Sequence, residues 1–337
     1  MRVAVLAPIS WRVPPRHYGP WELFASLLTE GLVRRGHDVT LFATGDSVTA
    51  ARLRSVVPVG WSEAPTLDAK VAECLHISAV FEHSKEFDII HNGFDFLPLT
   101  FSDLVTTPVV TTIHGFSSPQ IVAVYAKYNR RTTYVAISDA DRHEALDYVA
   151  TIHHGVDTDR FQLRSEHGGY LAYFGRIHPD KGTATAIEVA ARARLPLVIA
   201  GIIQDEEYFQ RRVAPHIDGV HVSYDGPVDA EHCSDFLGGA RALLHLIDFD
   251  EPFGFSVIEA MACGTPVIAF NRGSMPELID EGVTGMIVAD VAGAVAAIDK
   301  TPLLDRTAIR ALAVQRFGVD RMVDEYLSVY EQVIADA

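Results

Sequence analysis

Short apolar runs alternate with amphipathic stretches along the chain. Val3 to Ala7 is continuously apolar, which predicts a strand buried on both faces of a sheet. From about Trp21 to Arg35, leucines recur at helical spacing, and Gly36 ends this predicted helix. Val39 to Ala43 is the next apolar run, so the first segment reads as a βαβ unit.

The alternation continues through the first half of the chain. Further strands are predicted at Ile89-Ile90, Val109 to Ile113 and Tyr134 to Ile137. Ser138-Asp139 then predicts the cap of another helix.

A second series of strands and helices begins after Gly155. Its predicted strands are Tyr170 to Phe174, Leu197 to Ala200, Val220 to Ser223, Ala242 to Leu246 and Pro266 to Ala269. Thr185 to Arg194 is predicted as a helix. The last helix, about Val319 to Ile334, carries an apolar stripe of Met322, Tyr326, Val329 and Val333 that needs a partner surface.

Two successive βα series predict an α/β protein with two doubly wound, Rossmann-like domains facing across a cleft. We expect an N-terminal domain of residues 1–155, joined by the C-terminal helix of about 319–337, and a second domain of residues 156–318. The join lies near His153 to Asp157. Ligands of such sheets bind outside the carboxyl ends of the strands.

Composition narrows the class of protein. The 337 residues are 48% hydrophobic, which is enough for two buried cores. The net charge is −16, and residues 156–337 carry 28 Asp and Glu against 15 Lys and Arg. Without a basic stripe, a nucleic-acid partner is excluded. Peripheral contact with a membrane needs a basic patch, and Arg34-Arg35 and Arg130-Arg131 are too little to make one.

The cysteines and the chain start predict a cytoplasmic protein. Cys74, Cys233 and Cys263 have no CxxC spacing and read as reduced, mostly buried thiols. Met1 to Leu6 reads as a first strand rather than as a signal peptide. No apolar run approaches the ~20 residues of a membrane span.

The segment from Asp248 to Glu259 carries the strongest chemical signal. Glu251 and Glu259 flank an aromatic-glycine loop that should open a helix. Backbone N–H groups at such a loop suit a phosphate, and ionised carboxylates suit hydroxyl groups. A nucleotide sugar combines phosphate with a polyol and is therefore the first ligand to test.

A second turn, Gly175 to Gly182, places two cations after a predicted strand. Arg176 can bind a diphosphate in bidentate fashion, and Lys181 can act as a point charge. A surface turn with two solvated cations is the alternative. The position of the turn at a strand end, in the same half as the two glutamates, favours phosphate binding.

Taken together, these motifs resemble a family 4 retaining glycosyltransferase of the GT-B architecture, in the glycosyl transferases group 1. The second half carries the more specific motifs, which are Gly-Arg-x4-Lys-Gly, Glu-x7-Glu, Gly264 to Val267, Gly273 to Ile279 and Gly282 to Gly285. The first half matches more loosely, through Gly19 to Glu22, Thr112 to Gly115 and His154 to Asp157.

The resemblance implies roles for individual residues. Glu259 binds the ribose hydroxyls of the donor nucleotide, and Glu251 lies near the transferred sugar. Arg176 and Lys181 neutralise the diphosphate leaving group. Backbone contacts to sugar hydroxyls and phosphate come from Phe253, Gly254, Phe255 and Ser256. In the first domain, His114 reaches the donor and Gly19 lets its loop approach the phosphate.

Two features depart from or complicate this pattern. The family usually has two adjacent glycines where this chain has Gly19-Pro20, and proline offers no N–H to a phosphate. That loop, with His17, Tyr18 and Trp21, suits either an acceptor or simple helix-end packing. Glu22 is given no role beyond favouring the helix dipole.

We expect no metal and no cofactor. Asp248-x-Asp250 resembles the metal-binding pair of a different glycosyltransferase fold, but Arg176 and Lys181 already supply the cation's charge. His153-His154 is read as structural because adjacent side chains diverge. The first βα turn lacks G-x-G-x-x-G, which excludes a nicotinamide-dependent dehydrogenase.

The expected function is transfer of a hexose from a UDP-, GDP- or ADP-sugar to a hydroxyl acceptor, such as a glycan, a lipid-linked sugar or a small molecule. Two alternatives stay open. One is a nucleotide-sugar epimerase of the same architecture, and the other is a catalytically silent nucleotide-sugar-binding subunit.

Overall fold

The protein is described from a computed structural model of all 337 residues, in which every side chain is described except those of Ala230 and Glu231. The chain forms two compact units. Unit 1 comprises Met1–Gly155 and Val319–Ala337, and unit 2 comprises Val156–Gly318.

Unit 1 is built on a seven-stranded sheet in which every pairing is parallel. Its strands are β1 Arg2–Leu6, β2 Asp38–Phe42, β3 Arg52–Arg54, β4 Ile89–Asn92, β5 Val109–Ile113, β6 Thr133–Ala136 and β7 Tyr148–Thr151. Its first helices are α1 Pro20–Arg34, α2 Ala69–Glu82 and α3 Val122–Tyr128, with 3-10 turns at Ser84–Glu86, Leu97–Leu104 and Pro119–Ile121. The strand order is β3-β2-β1-β4-β5-β6-β7. Successive strands are therefore added on one side of β1 up to β3 and on its other side from β4 onward.

The prediction of a helix after Ser138-Asp139 is wrong, because no helix lies in the described residues between β6 and β7. Side chains bind the local backbone there instead: the Asp141 N–H donates to Ser138 Oγ at 3.1 Å, and the Ala145 N–H donates to His143 Nδ1 at 3.1 Å. Polar side chains that satisfy backbone groups in turns compete with helix formation. The segment therefore runs through turns into β7.

Unit 2 has a six-stranded sheet, again parallel throughout, in the order β10-β9-β8-β11-β12-β13. Its strands are β8 Leu171–Phe174, β9 Leu197–Ala200, β10 Val222–Gly226, β11 Ala242–His245, β12 Val267–Phe270 and β13 Gly285–Val288. Its helices are α4 Thr183–Ala193, α5 Glu206–Tyr208, α6 Ala230–Gly239, α7 Phe255–Ala262, α8 Met275–Leu278, α9 Val291–Ile298 and α10 Arg306–Phe317. Shorter turns are Pro179–Lys181, Phe209–Val213, Ala214–His216 and Thr301–Leu303.

The last helix, α11 Val319–Ala335, belongs to unit 1 and packs on α1. Met322, Tyr326 and Val329 of the predicted apolar stripe are buried, and Val333 is partly buried. Tyr326 donates to or accepts from Thr112 Oγ1 at 2.7 Å, and Tyr330 contacts His91 Nδ1 at 2.8 Å. The partner surface that the stripe needs is therefore α1 and the sheet of unit 1.

In the described part of the chain, no helix combines the length and apolar character needed to cross a bilayer. The three cysteines are free thiols, with Cys233 and Cys263 buried and Cys74 exposed.

Candidate functional site

The candidate site lies where the strand order of the unit 2 sheet reverses, between β8 and β11. β8 and β11 are neighbours in the sheet but distant in the chain, so the loops after them meet at its carboxyl edge. The Asp248 N–H donates to the Asp180 carbonyl at 2.9 Å. Any Cβ at Gly182 would lie 1.9 Å from the Leu246 carbonyl oxygen, so only glycine permits this approach.

Lys181 and Glu251 form an ion pair at this edge. Lys181 Nζ lies 2.5 Å from Glu251 Oε2, and each side chain is only 14% exposed. The same ammonium lies 4.5 Å from the centre of the Phe249 ring, a favourable cation–π contact. The structure thus brings together a predicted phosphate-binding cation and a predicted sugar-facing carboxylate.

Arg176 lies at the same edge, after β8. Its Nη1 donates to Gln204 Oε1, and its Nη2 lies 3.7 Å from Asp180 Oδ2. Its Nε is buried and has no hydrogen-bond partner within the described residues. Part of this guanidinium is therefore positioned but not satisfied by the protein.

The loop after β12 fixes the backbone of Glu251. The Ser274 N–H donates to the Glu251 carbonyl at 2.9 Å, and Ser274 Oγ donates to the Phe253 carbonyl at 2.5 Å. A Cβ at Gly273 would lie 2.4 Å from the Glu251 nitrogen. This close backbone packing holds the loop that carries Glu251 and Phe253.

Gly254 begins α7 with a φ of +114°, a conformation that glycine adopts without strain. No side chain caps the first turn of α7 in the described structure. Phe255 and Ser256 thus start a helix whose N-terminus is favourable for an anion.

Glu259 lies one turn further along α7 and is partly buried. Burial raises the pKa of its carboxyl to about 7, while the nearby Arg160 lowers it. The two carboxyl groups therefore have different environments: Glu251, in the loop before α7, is paired with Lys181, and Glu259, within α7, has no close ion pair among the described residues.

The two aspartates before Glu251 serve the loop. Asp250 Oδ1 accepts from the Gly273 N–H at 3.3 Å, and Asp248 Oδ1 lies 3.4 Å from Arg272 Nη2 at the surface. Among the described residues, no group of three His, Cys, Asp or Glu is arranged to hold a metal ion.

Two predicted residues, Gly19 and His114, belong to unit 1. Gly19 has a φ of +147°, and a Cβ there would lie 2.7 Å from Glu22 Oε2. Pro20 is the first residue of α1. Trp21 stacks on the His114 ring at 5.4 Å between ring centres, so the β1–α1 turn and the end of β5 are adjacent.

The His114 ring is enclosed within unit 1. It stacks on His154 at 5.2 Å, and burial lowers the pKa of His114 to about 3. Its Nε2 is buried without a hydrogen-bond partner in the described structure. A neutral imidazole with one unsatisfied nitrogen can still bind a ligand's polar group.

Sequence reasoning missed several residues of the site, namely Arg160, Gln204, His245 and Phe249. His245 is the last residue of β11, and its Nε2 lies 3.9 Å from Glu251 Oε2. The available signal was a polar residue ending an otherwise apolar strand, directly before the loop that carries Glu251.

Two family models match adjoining stretches of the chain. "Glycosyltransferase Family 4" matches residues 22–160, and "Glycosyl transferases group 1" matches residues 156–302. The chain belongs to the family 4 glycosyltransferases and has the GT-B architecture.

Individual relatives of this glycosyltransferase are distant but cover it fully. The phosphatidyl-myo-inositol mannosyltransferase of Mycobacterium tuberculosis is 25% identical over 99% of this chain and 97% of its own. The sucrose-phosphate synthase structure from Thermosynechococcus elongatus superposes with a TM-score of 0.80 at 19% identity, covering all of both chains. Anabaena HepE, solved in complex with UDP and glucose, gives a TM-score of 0.76 at 18% identity over 98% of this chain and all of its own.

Proposed function

We propose that this glycosyltransferase moves a hexose from a nucleoside-diphosphate sugar to a hydroxyl acceptor, with retention of the anomeric configuration. The observation that carries the proposal is the grouping of Arg176, Lys181 and Glu251 at the point where the strand order of the unit 2 sheet reverses, between β8 and β11. In doubly wound sheets this is the place where nucleotides bind.

Bond cleavage places negative charge on the departing diphosphate. The bond between the anomeric carbon and the diphosphate oxygen breaks, and its electron pair stays on that oxygen. Arg176 and Lys181 stabilise this charge, the contribution that dominates such reactions. The acceptor oxygen bonds to the anomeric carbon from the same face, and its proton passes to the departing diphosphate.

The remaining predicted residues bind the donor. Glu259 accepts from the ribose hydroxyls, since a carboxylate is an acceptor-only group. The N-terminus of α7, with Phe253, Gly254, Phe255 and Ser256, meets sugar hydroxyls and phosphate. From unit 1, His114 contacts the donor sugar or phosphate, and Gly19 permits a close approach of its loop.

The partners are therefore a nucleotide-sugar donor and a hydroxyl acceptor, and the chemistry needs no metal and no further cofactor. UDP and glucose are bound in the structure of HepE, which supports testing UDP-sugars first. Because these relatives are distant, GDP- and ADP-sugars are tested in parallel.

Incubation with UDP-glucose, GDP-mannose and ADP-glucose, followed by mass spectrometry and proton NMR, tests the proposal. We expect slow release of the nucleoside diphosphate and a free sugar from one of them, because water replaces the missing acceptor. The first anomer formed should have the donor's configuration. A changed sugar still on its nucleotide would indicate an epimerase instead, and tight binding without turnover a silent subunit.

A further inference from the structure

His245 lies directly beneath the proposed sugar-facing carboxylate. It ends β11, and its side chain is only 7% exposed. The loop that carries Glu251 passes over it, so that a Cβ built on Gly254 would lie 3.8 Å from His245 Nε2. The proposed chemistry gives this imidazole no role.

The two ring nitrogens of His245 have different surroundings. Nδ1 lies 3.5 Å from Ser256 Oγ, a hydroxyl that can donate to it. Nε2 is buried, has no hydrogen-bond partner among the described residues, and lies 3.9 Å from Glu251 Oε2. Burial lowers the pKa of His245 to about 4, so the ring is neutral near pH 7 and carries one N–H.

Packing alone does not account for this arrangement. A buried polar nitrogen without a partner is costly, and most such groups are satisfied in folded proteins. An apolar residue of similar size would fill the position without that cost. The unsatisfied atom lies beside Glu251, the carboxylate expected near the transferred sugar.

Donor binding changes the partners of Glu251. In the structure its Oε2 is paired with Lys181 at 2.5 Å. The proposed function requires Lys181 to turn its charge toward the diphosphate. Glu251 then loses its counter-charge in a site where an unpaired carboxylate is strongly disfavoured.

We infer that His245 is a positioning residue, whose Nε2–H donates to Glu251 and holds this carboxylate toward the transferred sugar when Lys181 engages the leaving diphosphate. The inference rests on the proposed function. Ser256 donates to Nδ1 and thereby fixes the tautomer that places the proton on Nε2. The hydrogen bond that one ring nitrogen of a histidine makes commonly decides whether the other nitrogen carries the proton.

The matched substitutions His245→Gln and His245→Asn test this role. The glutamine amide nitrogen can occupy the place of Nε2 and donate to Glu251, whereas the asparagine amide is too short. The assay is hydrolysis of the donor that the wild-type protein consumes. We expect His245→Gln to keep kcat within about threefold, and His245→Asn to lose about tenfold to a hundredfold, the effect of one hydrogen bond to a charged group.

The donor KM should stay nearly constant in both variants, because Glu251 acts on the sugar and not on the nucleotide. Equal losses in the two variants, or an unchanged kcat in His245→Asn, would overturn the inference while leaving the proposed function intact. If the wild-type protein consumed no donor, the proposed function would fail and this inference with it.

A measurement on the unmodified protein covers variants that do not fold. Long-range proton–nitrogen NMR of histidine-labelled protein reports which ring nitrogen carries the proton. We expect His245 to be the Nε2–H tautomer, with its proton moving downfield when UDP, GDP or ADP binds. The Nδ1–H tautomer would contradict the inference, because Nε2 could then not donate to Glu251.

Discussion

The Lys181 ammonium lies between the Glu251 carboxylate, 2.5 Å away, and the face of the Phe249 ring. Both neighbours keep this long, flexible side chain at the candidate site. On donor binding it therefore needs only to turn from Glu251 toward the diphosphate, whose negative charge it can then stabilise. At the scale of single residues, Lys181 is therefore where the loss of charge should be felt most.

Lys181→Met removes that charge and keeps most of the side-chain volume. We expect the rate of donor consumption to fall about a hundredfold to a thousandfold, with a smaller change in donor KM. Steady-state release of nucleoside diphosphate measures both quantities. Lys300→Met, at an exposed lysine of the same unit, is the control and should keep wild-type kinetics. An unchanged rate in Lys181→Met would remove Lys181 from the mechanism.

Glu259→Gln changes the carboxylate proposed to bind the ribose into a neutral amide. At pH 8, where the Glu259 carboxyl is mostly ionised, we expect the affinity for the cognate nucleoside diphosphate to fall about tenfold or more, since a charged acceptor binds hydroxyls more strongly than an amide. Calorimetric titration with UDP, GDP and ADP measures the change. Glu188→Gln, at a helix surface in the same unit, is the control. The assignment fails if the two variants bind the nucleotide equally.

Glu22 predicts a pH dependence of stability. Its side chain is buried, and burial raises the pKa of its carboxyl to about 7. The folded state therefore holds a proton that the unfolded chain releases near pH 4.3, so stability falls as pH rises from about 4.3 to about 7 and is constant above that range as far as this group is concerned. Above pH 7, we expect the free energy of unfolding of Glu22→Gln to be about 3 kcal/mol higher than that of wild type.

Urea unfolding at pH 4 and pH 8 measures this difference, which should vanish at the lower pH. Glu82→Gln, at an exposed glutamate of unit 1, should show no such gain. The prediction would be contradicted if the difference in free energy of unfolding between Glu22→Gln and wild type were the same at pH 4 and pH 8.

Only part of the site could be predicted from residue types. Arg176, Lys181 and Glu251 occur in spaced motifs next to glycines, and the structure does bring these three to one edge. His245 and Gln204 carry no such spacing, because a single polar residue after a strand has no pattern that shows where it points. Their positions depend on which strands become neighbours in the sheet.

At the scale of elements, apolar periodicity located α1, α4, α11 and the strands other than β3, β7 and β13, but it did not predict the long helix α2. The strand at Val109–Ile113 has the predicted bounds, and α1 begins one residue earlier than predicted because Pro20 suits the first helical position. The segment after Ser138 failed because its polar side chains bind local N–H groups. The edge strands β3, β7 and β13 were also missed. The residues of β3 and β7 are exposed or half-buried, so these two strands lack the continuous apolar run of a strand buried on both faces.

The contact between α1 and α11 supplies a test at this scale. A Cβ on Gly31 would lie 2.4 Å from Val323 Cγ2, so the two helices approach closely at this glycine. We expect Gly31→Ala to destabilise the protein by about 1–3 kcal/mol through overpacking. In Val323→Ala the obstructing methyl is gone, so Gly31→Ala should cost much less in that background.

Equilibrium unfolding of the two single variants and the double variant gives the coupling between them. We expect a coupling of about 1 kcal/mol or more, because the two residues are in contact. Additive effects would show that Gly31 and Val323 do not limit the approach of α1 and α11.

At the scale of the whole molecule, the chain builds two parallel sheets of seven and six strands, and its last helix returns to the first unit. The alternation of strands and helices, which restarts after Gly155, was enough to predict two doubly wound domains. The order of strands within each sheet was not readable from that alternation. That order is what places the loops after β8 and β11 together, and hence the candidate site.

The central claim is that the site of unit 2 holds the nucleotide of the donor. A crystal structure of the protein with the nucleoside diphosphate selected by the donor panel tests it most directly. We expect the diphosphate within hydrogen-bonding distance of Arg176 and Lys181, and the ribose hydroxyls on Glu259. A nucleotide bound elsewhere, with no contact to these three side chains, would contradict the account.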